Sequence, residues 1–126
     1  MFDEFIKTII VDDELLAYNR LVKLLKQDKE IDIITVCNNS LVAIEAINEN
    51  KPDLIFIDLN IPGLNGFNLV QKLNRDHDPI IVFVSADDKY GVKAFEVNAF
   101  DYLLKPYSIE RLNHTVLGAK KRLGLN

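Results

Sequence analysis

Four short pieces of this sequence carry side chains that could do chemistry together: Asp12-Asp13, Asp58, Ser85 and Lys105. They supply three carboxylates, a hydroxyl and an ammonium. Each has a plain explanation when taken alone. An aspartate after an apolar run can cap the next helix. A serine can close a turn. A lysine can sit exposed at a strand end. Gathered in one place, they form a kit for handling phosphate. Two carboxylates about 4 Å apart repel by roughly 4 kcal/mol at an effective dielectric of about 20. Three together push at least one toward protonation unless a cation relieves them. The donors are all oxygen, with no His or Cys beside them, which suits the hard cation Mg²⁺. Magnesium keeps its waters and favours sites completed by phosphate oxygens. Aspartate can accept a phosphoryl group as nucleophile. In this reading Asp58 attacks phosphorus. Asp13, Asp58 and, through water, Asp12 hold the ion, with the Asn60 backbone carbonyl as a further ligand. Lys105 and Ser85 meet the transferred group as point charge and hydrogen-bond donor.

These residues matter jointly only if the fold gathers them, and the apolar pattern says that it does. Five apolar segments stand out, at 7–11, 31–37, 53–59, 79–86 and 100–105. Several are nearly continuous in Ile, Val, Leu and Phe, the signature of strands buried on both faces of a parallel sheet. Helical spacing fills the gaps. Leu15, Tyr18, Leu21, Val22 and Leu25 share one face, as do Phe67, Val70 and Leu73. Leu112, Thr115, Val116, Ala119 and Leu123 trace the last helix. Ser40 and Ser108 stand where helix N-caps belong. Strand and helix alternate five times, which predicts an α/β domain with helices on both faces of the sheet. Right-handed crossovers and the usual doubly wound arrangement give a flavodoxin-like, five-stranded parallel sheet of order 2-1-3-4-5. Such sheets bind ligands at the carboxyl ends of their strands. Asp12-Asp13 end the first strand, Asp58 the third, Ser85 the fourth and Lys105 the fifth.

The totals narrow the function. The chain has 126 residues, enough for one domain with a real core, and its net charge is −4. An acidic chain without a basic face is not itself a nucleic-acid binder. The basic cluster Lys120, Lys121 and Arg122 reads as a solvated helix end favoured by the helix dipole. Cys37 is the single cysteine, which rules out an internal disulfide, and its apolar neighbours suggest an inert core thiol. The acidic N-terminus is unlike a signal peptide, and no apolar run approaches the length of a membrane span. A cytoplasmic, reducing location is expected, with no membrane contact. His77 falls in a polar loop and His114 on a helix, and neither has a phosphorelay context.

The matching pieces point to a family. VDDE (11–14), DLNIPGLNG (58–66) with Pro62 and Gly66, Ser85-Ala86 and YLLKP (102–106) occur in order across essentially the whole chain. In these the sequence resembles the response-regulator receiver domain of two-component signalling. The segment AFEVNAFDYLLKPY (94–107) is similar to receivers that precede a LytTR-type DNA-binding domain. The resemblance implies that Asp58 is the phosphoacceptor and that Asp12 and Asp13 are the metal-binding acidic pair. It makes Ser85 the switch hydroxyl, Lys105 the family's lysine and Tyr102 the switch aromatic. It implies a cis Lys105–Pro106 bond. Ser85 stands where many members carry threonine, and Asn60 occupies a variable position that tunes hydrolysis of the acyl phosphate.

The implied partners are a sensor histidine kinase as phosphoryl source and a second copy of the chain on phosphorylation. Dimerisation would use the face of helix four, strand five and helix five, where Val92, Phe95 and Tyr102 lie. The whole of 1–126 is then one receiver domain, either standing alone or, as the LytTR-like segment favours, a piece of a longer regulator in which DNA is contacted only through a domain outside this chain. Chemistry would be limited to self-catalysed phosphoryl transfer and slow autodephosphorylation. One alternative is a receiver-like module that binds partners without phosphorylation. Another is a Mg²⁺-dependent phosphatase of the haloacid-dehalogenase type, whose nucleophile belongs on strand one with a second Asp two residues on, where this chain has Asn60. A flavodoxin is disfavoured because Asp12, Asp13 and Glu14 would repel a flavin phosphate.

Overall fold

A computed structural model of the protein describes residues 5–74 and 76–125. The elements follow in strict alternation. They are β1 (Ile6–Val11), α1 (Leu15–Leu25), β2 (Ile31–Cys37), α2 (Ser40–Asn50), β3 (Leu54–Asp58) and α3 (Gly66–Gln71). After these come β4 (Ile80–Ser85), a single 3₁₀ turn (Asp88–Tyr90), α4 (Gly91–Glu96), β5 (Asp101–Leu104) and α5 (Ile109–Arg122). All strand pairs are parallel and the order is β2-β1-β3-β4-β5. Fold class and strand order agree with the sequence expectation. Each strand begins or ends within a residue or two of its apolar run.

Side chains alternate across a strand, so each of the three central strands feeds two cores. Ile6 and Ile10, Leu54 and Phe56, and Val82 and Val84 face one side, under Leu21 and Leu25 of α1 and Leu112, Val116 and Ala119 of α5. Ile9 and Val11, Ile55 and Ile57, and Phe83 face the other, under Ala43 and Ile47 of α2, Phe67 and Leu69 of α3 and Ala94 of α4. That double burial is why these strands read as unbroken apolar runs. Cys37 is buried and burial pushes its thiol pKa up, as an inert core cysteine requires. Among the described residues no helix is long and apolar enough to cross a membrane.

Three local expectations change. Leu15, the first residue of α1, lies outside the core at 58 % exposure. Ser108 caps α5 by accepting from the Arg111 amide at 3.0 Å, but Ser40 does not cap α2. Asn39 does so, accepting from the Val42 amide at 3.0 Å, and Ser40 is the first residue of the helix proper. Nor is the basic end of α5 simply solvated. Lys120 reaches Asp28 at 2.6 Å and Glu30 at 2.8 Å, tying α5 to the turn before β2.

One polar cluster fastens β5 to α5. Asp101 accepts from the Arg111 guanidinium at 2.8 and 2.6 Å and from the buried Thr115 hydroxyl at 2.6 Å. Burial works against the Asp101 carboxylate, yet these donors and the Tyr102 amide outweigh it and hold the pKa below the ordinary range. A carboxylate of lowered folded pKa stabilises the protein above its unfolded pKa, and the gain is lost as pH falls through the folded value. Asp101→Ala should therefore cost roughly 1–3 kcal/mol at neutral pH. The gap to wild type should close below a pH of about 4. Urea unfolding at several pH values checks this, and a gap independent of pH would assign the cost to packing alone.

Candidate functional site

The strand ends deliver their side chains by the same alternation. Asp58 continues the Leu54–Phe56 face of β3. Asp12, two residues past Ile10, and Lys105, two past Leu103, fall on that same face. Ser85 and Tyr102 have the other parity, and Tyr102 packs on the α2–α3–α4 side with Phe83. The sheet thus divides the five residues into a charged trio and a pair on the opposite face.

Backbone bonds hold the trio in place beyond the last strand residues. The Asp12 amide donates to Cys37 at 2.9 Å, and the Lys105 amide donates to Ser85 at 2.7 Å. Asp12 and Asp58 are 5 % and 7 % exposed. The Lys105 ammonium stands among three carboxylates, 2.6 Å from Asp58 Oδ2, 3.1 Å from Glu14 and 3.2 Å from Asp12. The other oxygens are oriented by amides two residues on. Asn60 donates to Asp58 Oδ1 at 2.8 Å, and Glu14 donates to Asp12 Oδ1 at 2.9 Å. Burial pushes the Asp12 carboxyl up, with the nearby Asp58 charge adding to it, and Lys105 and the Glu14 amide offset only part of this. Burial also opposes the charged form of Lys105, but Asp58, Asp12 and Glu14 outweigh it and raise its pKa.

Carboxylate oxygens of Asp12, Glu14 and Asp58 lie within 4.8 Å of one another. An all-oxygen, acidic donor set that already gathers around one cation fits a hard divalent ion. Asp13, the second acid of the expected pair, is exposed, and Glu14 approaches Asp12 and Asp58 through Lys105. Glu14 was legible only as the third member of an acidic run. The turn leaving β1 is what returns its carboxylate toward the strand ends.

Ser85 is fully buried and its hydroxyl accepts from the Asp87 amide at 3.0 Å, closing the turn after β4. The Tyr102 hydroxyl donates to the Asp87 carbonyl. The ring is half-buried against the second core. Asp87 therefore joins the two residues, one through its N–H and one through its C=O. The Lys105–Pro106 peptide bond is cis. The following turn is pinned to α1 by Arg20, which donates to the Tyr107 carbonyl at 2.9 Å and stacks 4.9 Å from the Tyr107 ring centroid. Beside the trio, a cleft of about 360 Å³ opens between α1 and this turn, lined by Leu16, Ala17, Arg20, Pro106 and Tyr107.

Comparison with known proteins places this arrangement. The family model described as the response regulator receiver domain matches residues 8–117. A response regulatory protein of Shewanella oneidensis is 44 % identical over 118 residues, covering 94 % of this chain and 50 % of that protein. The transcriptional regulatory protein BtsR of Escherichia coli K12 is 43 % identical over 111 residues, covering 88 % of this chain and 46 % of BtsR. The chain spans about half the length of these relatives. Among solved structures, the response regulatory domain of mrkE from Klebsiella pneumoniae superposes with a TM-score of 0.86 at 36 % identity, covering 94 % of this chain and 98 % of that one. With the order of its strands and the carboxylates at their ends, the chain belongs to the response regulator receiver domains.

Proposed function

We propose that this receiver accepts a phosphoryl group on Asp58 from a sensor histidine kinase and passes the change to an output. The observation that carries the reading is the Lys105 ammonium 2.6 Å from a buried Asp58 carboxylate, with Asp12 and Glu14 beside it. Asp58 Oδ2, the oxygen paired with Lys105, forms an O–P bond as the donor's P–N bond breaks, and the electron pair stays with the imidazole nitrogen. Asn60 holds the other oxygen back through its amide. Lys105 follows the negative charge from the carboxylate to the phosphoryl oxygens, where an ammonium contributes as a point charge. Asp12 and Asp58, with Asp13 as the resemblance implies or Glu14 as the geometry favours, and the Asn60 carbonyl would hold Mg²⁺. That ion would supply neutralisation of charge on the transferred group. The cleft beside α1 leaves the donor a way in.

Ser85 gives the signal its start. Turning its hydroxyl toward a phosphoryl oxygen gives up the Asp87 amide, and Asp87 also holds Tyr102. The response is a shift in population between loop arrangements. Tyr102 is half-buried with its hydroxyl on the Asp87 carbonyl, so a rearrangement of that loop would reach its ring directly. Val92 and Phe95 on α4, 73 % and 83 % exposed, give the output face its apolar surface, and a phosphorylation-dependent homodimer is the form proposed for it. Transcription control through a DNA-binding domain outside this chain, of the LytTR type, and a cytoplasmic location complete the proposal. The printed name of BtsR as a transcriptional regulator supports it.

Intact mass after incubation with acetyl phosphate, with and without Mg²⁺, tests the reading on wild type and Asp58→Asn. One base-labile adduct is expected in wild type with Mg²⁺ and none in the variant. No adduct in wild type would leave a receiver that works by binding alone. Release of phosphate in many turnovers from a simple ester would favour a phosphatase.

A further inference from the structure

Ser40 is fully buried at the start of α2 yet does not cap it. Its polar atoms serve a different segment. The Ser40 hydroxyl accepts from the Leu64 amide at 2.7 Å, and the Ser40 amide donates to the Pro62 carbonyl at 3.1 Å. One residue therefore grips the β3–α3 loop on both sides of Gly63. Gly63 sits at φ +95°, in the left-handed region, and a Cβ there would stand 2.2 Å from the Ser40 hydroxyl oxygen. The contact needs a small hydroxyl on one side and no side chain on the other.

The gripped loop leaves directly from Asp58. Its near end is fixed by the Asn60 amide on Asp58, and its far end by the Gly66 amide on the Leu59 carbonyl at 3.2 Å. Only the middle remains, and Ser40 holds it. We infer that Ser40 and Gly63 form a clamp that positions the loop carrying Asn60 for phosphoryl transfer at Asp58. Ser40 is a positioning residue, acting through the loop without touching the reacting atoms. The inference rests on the reading of Asp58 as phosphoacceptor. Without the Ser40 hydroxyl the Leu64 amide turns to water, the Ser40 amide alone keeps the Pro62 carbonyl, and the loop samples more arrangements. The Asn60 main chain then no longer holds one direction, and supporting contacts of this kind commonly govern metal affinity and rate.

The test compares Ser40→Ala and Gly63→Ala with Ile47→Val, which removes one buried methyl group from the same helix and leaves both hydrogen bonds. Mg²⁺ affinity is measured by calorimetric titration, phosphorylation by the initial rate with acetyl phosphate at saturating Mg²⁺, and stability by the thermal midpoint. Both clamp variants should bind Mg²⁺ about tenfold more weakly and react more slowly. Ile47→Val should lower the midpoint and leave binding and rate at the wild-type level. A Ser40→Ala protein that matches Ile47→Val in affinity and rate overturns the clamp while the phosphoacceptor reading stands. A wild type that neither binds Mg²⁺ nor takes a phosphoryl group overturns both. Should Gly63→Ala fail to fold, Ser40→Ala decides alone.

Discussion

Lys105→Met should yield a protein that takes up phosphoryl groups at least roughly a hundredfold more slowly. It should also lose about 3 kcal/mol of stability when divalent cations are absent. Methionine keeps the length and the apolar stem of lysine, so the loss isolates the charge. What remains is Asp58 at 7 % and Asp12 at 5 % exposure, facing each other with no cation between them. Removing one partner of a buried pair costs more than the pair itself contributes, because the other charge stays desolvated. Glu14 is exposed and turns to water, so the penalty falls on the two aspartates. Mg²⁺ offers the cluster a replacement cation and should restore much of the stability, but not the rate, since the phosphoryl oxygens still lack the ammonium. Urea unfolding of both proteins with Mg²⁺ and with a chelator measures the difference. Equal responses of wild type and variant to Mg²⁺ would show that Lys105 does not neutralise the cluster.

Phe56→Ala should cost about 3–5 kcal/mol, against a total of about 5–15 kcal/mol for a domain of this kind. Phe56 is 1 % exposed at the centre of β3, among the largest side chains fully enclosed by the α1–α5 side of the sheet. Its neighbours belong to elements fixed by the rest of the sheet and cannot collapse into the space. The thermal midpoint should fall by roughly 10–20 °C. Phe56 also shares its face with Asp58 two residues later, so the fraction still folded should phosphorylate more slowly. A fall in midpoint of only a few degrees would mean that β3 is not the centre of the core.

The fold was legible because buried parallel strands leave little freedom of composition. Ile55, Phe56 and Ile57 must all be apolar when both faces of β3 are covered, and no helix of that length needs such a run. The trio was legible because charge at the end of such a run demands a reason. The features that were not legible depend on turns. Asn39 and Ser40 are both good caps by residue type, and only the approach of Pro62 and Leu64 decides which of them does the capping. Glu14 and Asp13 are adjacent acids, and the path of the chain leaving β1 decides which one faces Lys105. Lys120 has the position of a solvated helix end until the turn at 28–30 meets it. Tyr102 alternates correctly along β5, but its hydroxyl partner lies in a loop 15 residues away.

The trio has a consequence for how the molecule matures. Lys105 meets Asp12 across 93 residues of sequence and Asp58 across 47. Parallel pairing of distant strands is slow to form, because loop closure must precede the contacts that reward it. No shorter stretch of the chain contains all three residues in one place. A partly folded chain therefore has Asp58 without the cation beside it, and under the proposed function phosphoryl transfer would have to wait for the last strand.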